Sequence, residues 1–79
     1  MARPRSAGPV DLLRGVERAV ALLQGFTPQR PAVDLPRAAR ALGVPRTTAY
    51  RLLRSLESGG LLVYDAPRRS YRLSLAMAR

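Results

Sequence analysis

The stretch DLPRAARALGVPRTTAYRLLRSLESGG, from residue 34 to residue 60, decides the fold of this chain. Its first part predicts a short helix, because Asp34 is an N-cap residue, a proline occupies the first turn, and apolar side chains recur at helical spacing. Gly43 can adopt the left-handed conformation that ends a helix, Val44 can fold back onto the helix end, and Pro45 prevents continuation. The apolar residues of this helix are Leu35, Ala38, Ala39 and Leu42.

A further helix is predicted over Arg46–Ser58, and its two sides differ in chemistry. The apolar residues lie within a stripe of about 100°, the width of one packing face. We therefore assign this stripe, Ala49, Leu52, Leu53 and Leu56, to the core. The opposite side carries Arg46, Thr47, Tyr50, Arg51 and Arg54, and two glycines follow the helix and end it.

The residues after this helix predict a two-stranded β-hairpin. Residues 61–64 and 70–73 are rich in β-forming types, and residues 65–69 join them as a turn. Since an isolated hairpin is only marginally stable in water, it must pack against the helices. Its tip carries Arg68 and Arg69, which are exposed in any arrangement.

Before the deciding stretch, the sequence predicts a basic arm, one longer helix and a loop. Residues 1–10 hold two prolines, a glycine and a serine, which predicts a flexible arm. From Asp11, a plausible N-cap, to about Gly25, apolar residues cover roughly half of the helix circumference, more than one packing face needs. Such a helix is either buried deep in its own core or shared with a second protomer. Residues 24–32 are rich in proline and are interpreted as a loop.

The composition excludes several classes of function. The 79 residues include 14 Lys+Arg and 5 Asp+Glu, for a formal net charge of +9 at pH 7. Cysteine and histidine are absent, which removes disulfides, thiolate chemistry and the commonest metal ligand and general base. Every cation is an arginine, which cannot form a Schiff base. We therefore expect no enzyme, no metal site and no cofactor.

The same composition favours a folded domain that binds a polyanion. The hydrophobic fraction of 47% is typical of a globular protein and not of a disordered polycation. The basic N-terminus is followed by an apolar stretch that Arg14, Glu17 and Arg18 interrupt, so neither a signal peptide nor a membrane span is predicted. We expect a soluble intracellular protein whose first candidate partner is nucleic acid, because of its phosphate density.

Two short helices joined by a three-residue turn, the second basic on one side and followed by a basic hairpin, are typical of a winged helix-turn-helix. The predicted fold is mainly α with a small antiparallel β-hairpin, three helices plus a wing, over residues 11–75. An α-helix fits the major groove of B-DNA, and a hairpin beside it can lie along the phosphate backbone or the minor groove. The candidate DNA-binding residues are Arg46, Thr47, Thr48, Tyr50, Arg51, Arg54, Arg68 and Arg69.

Each candidate also has a structural interpretation. The helix arginines can form a solvated face, but Glu57 is the only acid on the helix, so ion pairs do not explain three arginines. Tyr50 can lie at the rim of the core, Thr48 can pack inward, and Arg54 can meet a phosphate or pack its stem. The wing arginines can serve solubility alone.

The run LPRAARALGVPRTTAYRLLRSL, residues 35–56, with the ESGGLL and hairpin after it, resembles the N-terminal DNA-binding domain of IclR-type transcriptional regulators. The likeness extends back to residue 13 and covers nearly all of residues 11–75. Its most specific segment is ALGVPRTTAYRLL, residues 41–53, where the Gly-apolar-Pro turn and the T-A-x-R-L-L helix occur together. The sequence departs from the family at Tyr50, where members often have histidine.

The resemblance implies a cytoplasmic bacterial repressor or activator that binds operator DNA as a homodimer, through a recognition helix at Arg46–Ser58. It implies that the first helix, from Asp11 to Phe26, contributes to the dimer. Family members carry a large effector-sensing domain after the hairpin, so residues 76–79 are expected to begin a linker, and no small-molecule effector is expected to bind this chain. The alternative is a winged helix that docks an acidic protein partner.

Overall fold

The computed structural model describes the backbone of residues 7–74 and the side chains of residues 14–74. These residues form a sheet of three antiparallel strands in the order β1-β3-β2, with three helices beside it. The elements are α1 Ala7–Gln24, β1 Ala32–Val33, α2 Leu35–Leu42, α3 Arg46–Ser58, β2 Leu62–Asp65 and β3 Ser70–Leu73. The predicted winged helix is confirmed.

The signals that bound α2 act as the sequence predicts. The backbone N–H of Arg37 donates to the Asp34 carboxylate at 2.9 Å, which caps the start of the helix. Gly43 ends the helix with φ of 68°, and the N–H of Val44 donates to the carbonyl of Ala39 at 3.1 Å. Because this turn is tight, only three residues separate α2 from α3, and the bounds of α3 are the predicted ones.

A small core between the helices and the sheet fixes the orientation of α3. Ala49 and Leu53 are fully buried, and Leu56 is nearly so. Leu52, which we also assigned to the core, is half-buried and packs against the same cluster. Burial of a leucine side chain contributes about 2 kcal/mol to folding, so rotation of α3 about its axis is costly. The buried residues of the core are Leu22, Ala38, Ala39, Ala49, Leu53, Leu56, Leu62 and Tyr71.

The first helix differs from its prediction at its start. It begins at Ala7, so Asp11 is not its N-cap, and residues 7–10, which we assigned to the arm, are helical. Pro9 is compatible with this because it lies in the first turn, where backbone N–H groups have no partner within the helix. The rest of the predicted arm, residues 1–6, and the predicted linker, residues 76–79, lie outside the described residues.

The wing is also larger than the predicted hairpin, because part of the predicted loop forms a strand. Ala32 pairs with Arg72 and Val33 pairs with Tyr71, so β1 extends the sheet beyond β3. A strand of two residues has no periodicity, and only its pairing with β3 defines it. The extra strand joins the wing to the segment that precedes α2.

Candidate nucleic-acid interface

The side of α3 opposite the core presents the candidate residues to solvent. Arg46, Thr47, Tyr50, Arg51 and Arg54 are exposed, as the helical spacing predicts. Thr48 is half-buried, so both of its interpretations stay open. Since the buried side of the helix is held by the core, its outer side forms a rigid basic ridge of a diameter suited to the major groove.

Tyr50 and Arg54 lie one turn apart on this ridge and form a hydrogen-bonded pair. Arg54 Nη1 donates to the Tyr50 hydroxyl at 2.9 Å, and the guanidinium carbon lies 5.8 Å from the centre of the tyrosine ring. Arg54 Nε also lies 3.6 Å from Glu57 Oε1. The hydrogen bond to Tyr50, together with the negative charge of Glu57, raises the pKa of Arg54. Arg54 is therefore a cation whose charge is already partly satisfied within the protein.

The two arginines at the wing tip differ in their contacts. The Asp65 carboxylate accepts one hydrogen bond from the backbone N–H of Arg68 at 3.3 Å and another from Arg68 Nη1 at 3.1 Å. Arg69 has no ion-pair partner in the described part of the chain, and its backbone adopts φ of 52°. Arg69 is thus the wing arginine whose charge is free to meet an external anion.

An open groove between α3 and the wing brings the two parts of the interface together. Tyr50 contributes from the helix side, and Arg68 and Arg69 contribute from the wing side. The start of α2, including Pro36, also lines this groove. Of the eight candidates, six lie on α3, and the two on the wing line the same groove as Tyr50.

The structure adds Arg40 to the basic surface, a residue that the sequence pattern did not single out. Arg40 lies in the last turn of α2 and lines a second open groove with Arg46 and the turn at Gly43. Its exposure could have been inferred from the helical spacing, since it is off the stripe formed by Ala38 and Ala39. In helix-turn-helix proteins the helix before the recognition helix crosses the DNA backbone.

The described residues offer neither a metal site nor a membrane-spanning segment. Between residues 7 and 74, no three His, Cys, Asp or Glu side chains cluster in a way that could hold a metal ion. No helix in that part of the chain is long and apolar enough to cross a bilayer.

Comparison with known proteins identifies relatives of this domain. The family model of the IclR helix-turn-helix domain matches residues 15–66. A search of curated protein sequences found no match.

Solved structures of larger proteins contain a similar domain. An IclR transcriptional regulator from a Silicibacter species is 32% identical with a TM-score of 0.74, over 82% of this chain and 25% of its own. An IclR-family regulator from a Rhodococcus species is 27% identical with a TM-score of 0.80, over 99% of this chain and 30% of its own. An IclR transcriptional regulator from Alicyclobacillus acidocaldarius is 31% identical with a TM-score of 0.73, over 80% of this chain and 26% of its own.

Proposed function

The chain belongs to the IclR helix-turn-helix domain family, and on that premise we propose that it binds double-stranded DNA sequence-specifically to regulate bacterial transcription. The observation that carries this proposal is the one-sided burial of α3: Ala49 and Leu53 are 0% exposed while the arginines opposite them face solvent. A helix held in this way can enter the major groove without losing its core contacts. The role places the chain in the bacterial cytoplasm.

We assign the roles on α3 by position along the helix. Its first turn, with Arg46, Thr47 and Thr48, presents short hydroxyls and free N–H groups that suit phosphate oxygens. Arg51 lies in the next turn, is exposed, and has the two parallel donors that match O6 and N7 of guanine. Arg51 is therefore the candidate for direct reading of a base.

On the wing, Arg69 contacts the DNA backbone and Arg68 assists it. Backbone contacts of this kind fix the register of the protein on the duplex without reading sequence. Because Asp65 already pairs with Arg68, the attraction of Arg68 to a phosphate is smaller than that of Arg69. We expect Arg69 to dominate the contribution of the wing.

We further propose that two chains bind together through α1. Val16 and Val20 are one turn apart on this helix and are 59% and 46% exposed. A dimer would read two half-sites about 34 Å apart, or a multiple of that distance.

The solved relatives are three to four times longer than the matched part, since the chain spans only 25% to 30% of their lengths. We assign residues 76–79 to the start of a linker toward an effector domain of the kind expected for the family.

The test is selection of binding sites from a random pool of duplexes, followed by titration of the selected site and its single-base variants. Arg51→Ala should cost about 1–3 kcal/mol and relax the preference at one base pair. Arg69→Ala should weaken binding to all duplexes alike and reduce the salt dependence of log K by about 0.9.

Two results would count against this proposal. If the wild-type chain binds every duplex equally and an acidic protein displaces it from DNA, the domain is a protein-assembly module and not a sequence-specific DNA-binding domain. A uniform effect of Arg51→Ala would contradict its role in reading a base, and an effect of Arg69→Ala confined to one base pair would contradict its role at the backbone, while DNA binding itself would stand.

A further inference from the structure

A line of three contacting side chains runs along the exposed side of α3. Glu57, Arg54 and Tyr50 are spaced by three and four residues, so they lie on the same side of the helix. Arg54 is between the other two, with its Nε near the Glu57 carboxylate and its Nη1 on the Tyr50 oxygen. Arg54 therefore contacts both neighbours before any ligand arrives, by one hydrogen bond to Tyr50 and one ion pair with Glu57.

The direction of the hydrogen bond between Arg54 and Tyr50 follows from their chemistry. A guanidinium has five donors and no acceptor, whereas a tyrosine hydroxyl has one donor hydrogen and two acceptor lone pairs. Arg54 must therefore donate, and the hydrogen of the Tyr50 hydroxyl is directed elsewhere. Within residues 14–74 no group accepts that hydrogen, and Tyr50 is 44% exposed. The hydroxyl consequently offers a donor to the outside.

A cation on the oxygen also strengthens that donor. Hydrogen bonds in a chain polarise one another, and a bond in which one partner is charged is roughly twice as strong as a neutral one. Tyr50 is the fifth residue of α3, in the half of the helix whose side chains reach base edges in helix-turn-helix complexes. Arg54 lies one turn further along the helix, and its guanidinium already contacts the side chains of Tyr50 and Glu57.

We infer that Arg54 is a positioning residue that holds the Tyr50 hydroxyl as a hydrogen-bond donor toward an acceptor on a base edge in the major groove. The matching acceptors are N7 of a purine, O6 of guanine and O4 of thymine. Cytosine presents a donor amino group there and is excluded by the same geometry. The inference rests on the proposed function, because it assigns a specificity role within the DNA interface.

The experiment is a double-mutant cycle in which the measured quantity is the preference of each variant for one base over the others. Tyr50→Phe removes the hydroxyl and keeps the ring, and Arg54→Met keeps the stem of the side chain and removes its donors. Each is titrated, alone and combined, against the selected duplex and its single-base variants. Each single variant should lose about three- to tenfold of discrimination at the same base pair, the value of one hydrogen bond. The double variant should lose no more than the larger single loss.

Two further variants give this cycle its controls. Arg54→Lys keeps a donor for the Tyr50 oxygen and should recover part of the discrimination. Tyr64→Phe removes a hydroxyl from a tyrosine that is 40% exposed on the wing. It should combine additively with Arg54→Met. Circular dichroism and thermal unfolding confirm that every variant is folded.

The possible failures are distinguishable. If Arg54→Met weakens all duplexes alike, lowers the salt slope by about 0.9 and adds to Tyr50→Phe, Arg54 is a phosphate contact and the inference is wrong. A uniform effect of Tyr50→Phe overturns it as well. A wild-type chain without base preference overturns the proposed function and, with it, this inference.

Discussion

Arg69 occupies a backbone conformation that disfavours its own residue type. Its φ of 52° lies in the left-handed region, which costs an ordinary residue about 1–2 kcal/mol and glycine almost nothing. A strained residue at the tip of a wing is consistent with a side chain that serves binding more than folding. The position therefore allows stability and function to be separated.

We predict that Arg69→Gly stabilises the fold by about 1 kcal/mol and weakens DNA binding for all sequences. Arg69→Ala removes the same charge without relieving the backbone, so it should weaken binding equally with no gain in stability. Denaturant unfolding and duplex titration measure the two effects. Equal stability of the glycine and alanine variants would show that the backbone at this position is not strained.

Ionisation of Tyr71 should lower the stability of the fold at alkaline pH. Its side chain is 5% exposed, and burial, followed by the charge of Glu57, raises its pKa above the ordinary value of 10.0. Its ring lies 4.8 Å, centre to centre, from that of Tyr64 on the neighbouring strand. Because the folded state holds this proton more tightly than the unfolded state, the contribution is complete below pH 10 and is lost as the pH rises above it.

We predict that wild-type stability declines above about pH 10 and that Tyr71→Phe flattens this decline. Urea unfolding at a series of pH values gives the answer, and an unaltered decline in Tyr71→Phe would assign the effect to another group.

At the scale of elements, two glycines with equally open surroundings have opposite roles. A methyl group added at Gly15, inside α1, or at Gly43, after α2, would meet no atom within 4 Å. Only the backbone distinguishes them, since Gly43 has φ of 68° and Gly15 is helical. Any difference between their alanine variants therefore measures backbone conformation alone.

We predict that Gly43→Ala destabilises the fold by about 1 kcal/mol, because alanine is strained in the left-handed region. Gly15→Ala should stabilise it by about 0.5–1 kcal/mol, because alanine is the better residue inside a helix. Thermal or denaturant unfolding of both variants is sufficient. Changes of the same sign would contradict the assigned roles.

At the scale of the whole molecule, α1 divides its apolar surface between two uses. Leu22 is buried in the core, and Leu23 packs against it. Val16 and Val20, in contrast, face solvent. This division explains why the apolar surface of α1 is wider than one packing face needs, and it favours the shared-face interpretation of the helix.

We predict that Val20→Glu lowers self-association of the chain, because it places a charge on the proposed shared surface. Val63→Glu is the control, since Val63 is 50% exposed on β2 and belongs to the wing. Sedimentation velocity over a range of protein concentrations compares them. Equal association of wild type and Val20→Glu would exclude this surface from the dimer.

Local chemistry made much of this protein predictable from its sequence. Asp34, Gly43 and Pro45 bound their helices through hydrogen bonds and backbone limits that involve only nearby residues, and the spacing of leucines told the buried side of α3 from its exposed side. The absence of histidine, cysteine and lysine restricted the possible classes of function through composition alone.

Contacts between distant segments, and distances between side chains, decided the rest. Strand β1 forms because its two residues pair with residues of β3 that lie about forty positions later in the chain. A pairing between such distant segments cannot be predicted from a local sequence pattern. Sequence spacing likewise placed the arginines on one surface but did not tell which were already engaged, as Arg54 and Arg68 are. Ion pairs and hydrogen bonds require two side-chain atoms to lie within a few ångströms of each other, and only tertiary packing determines distances at that precision.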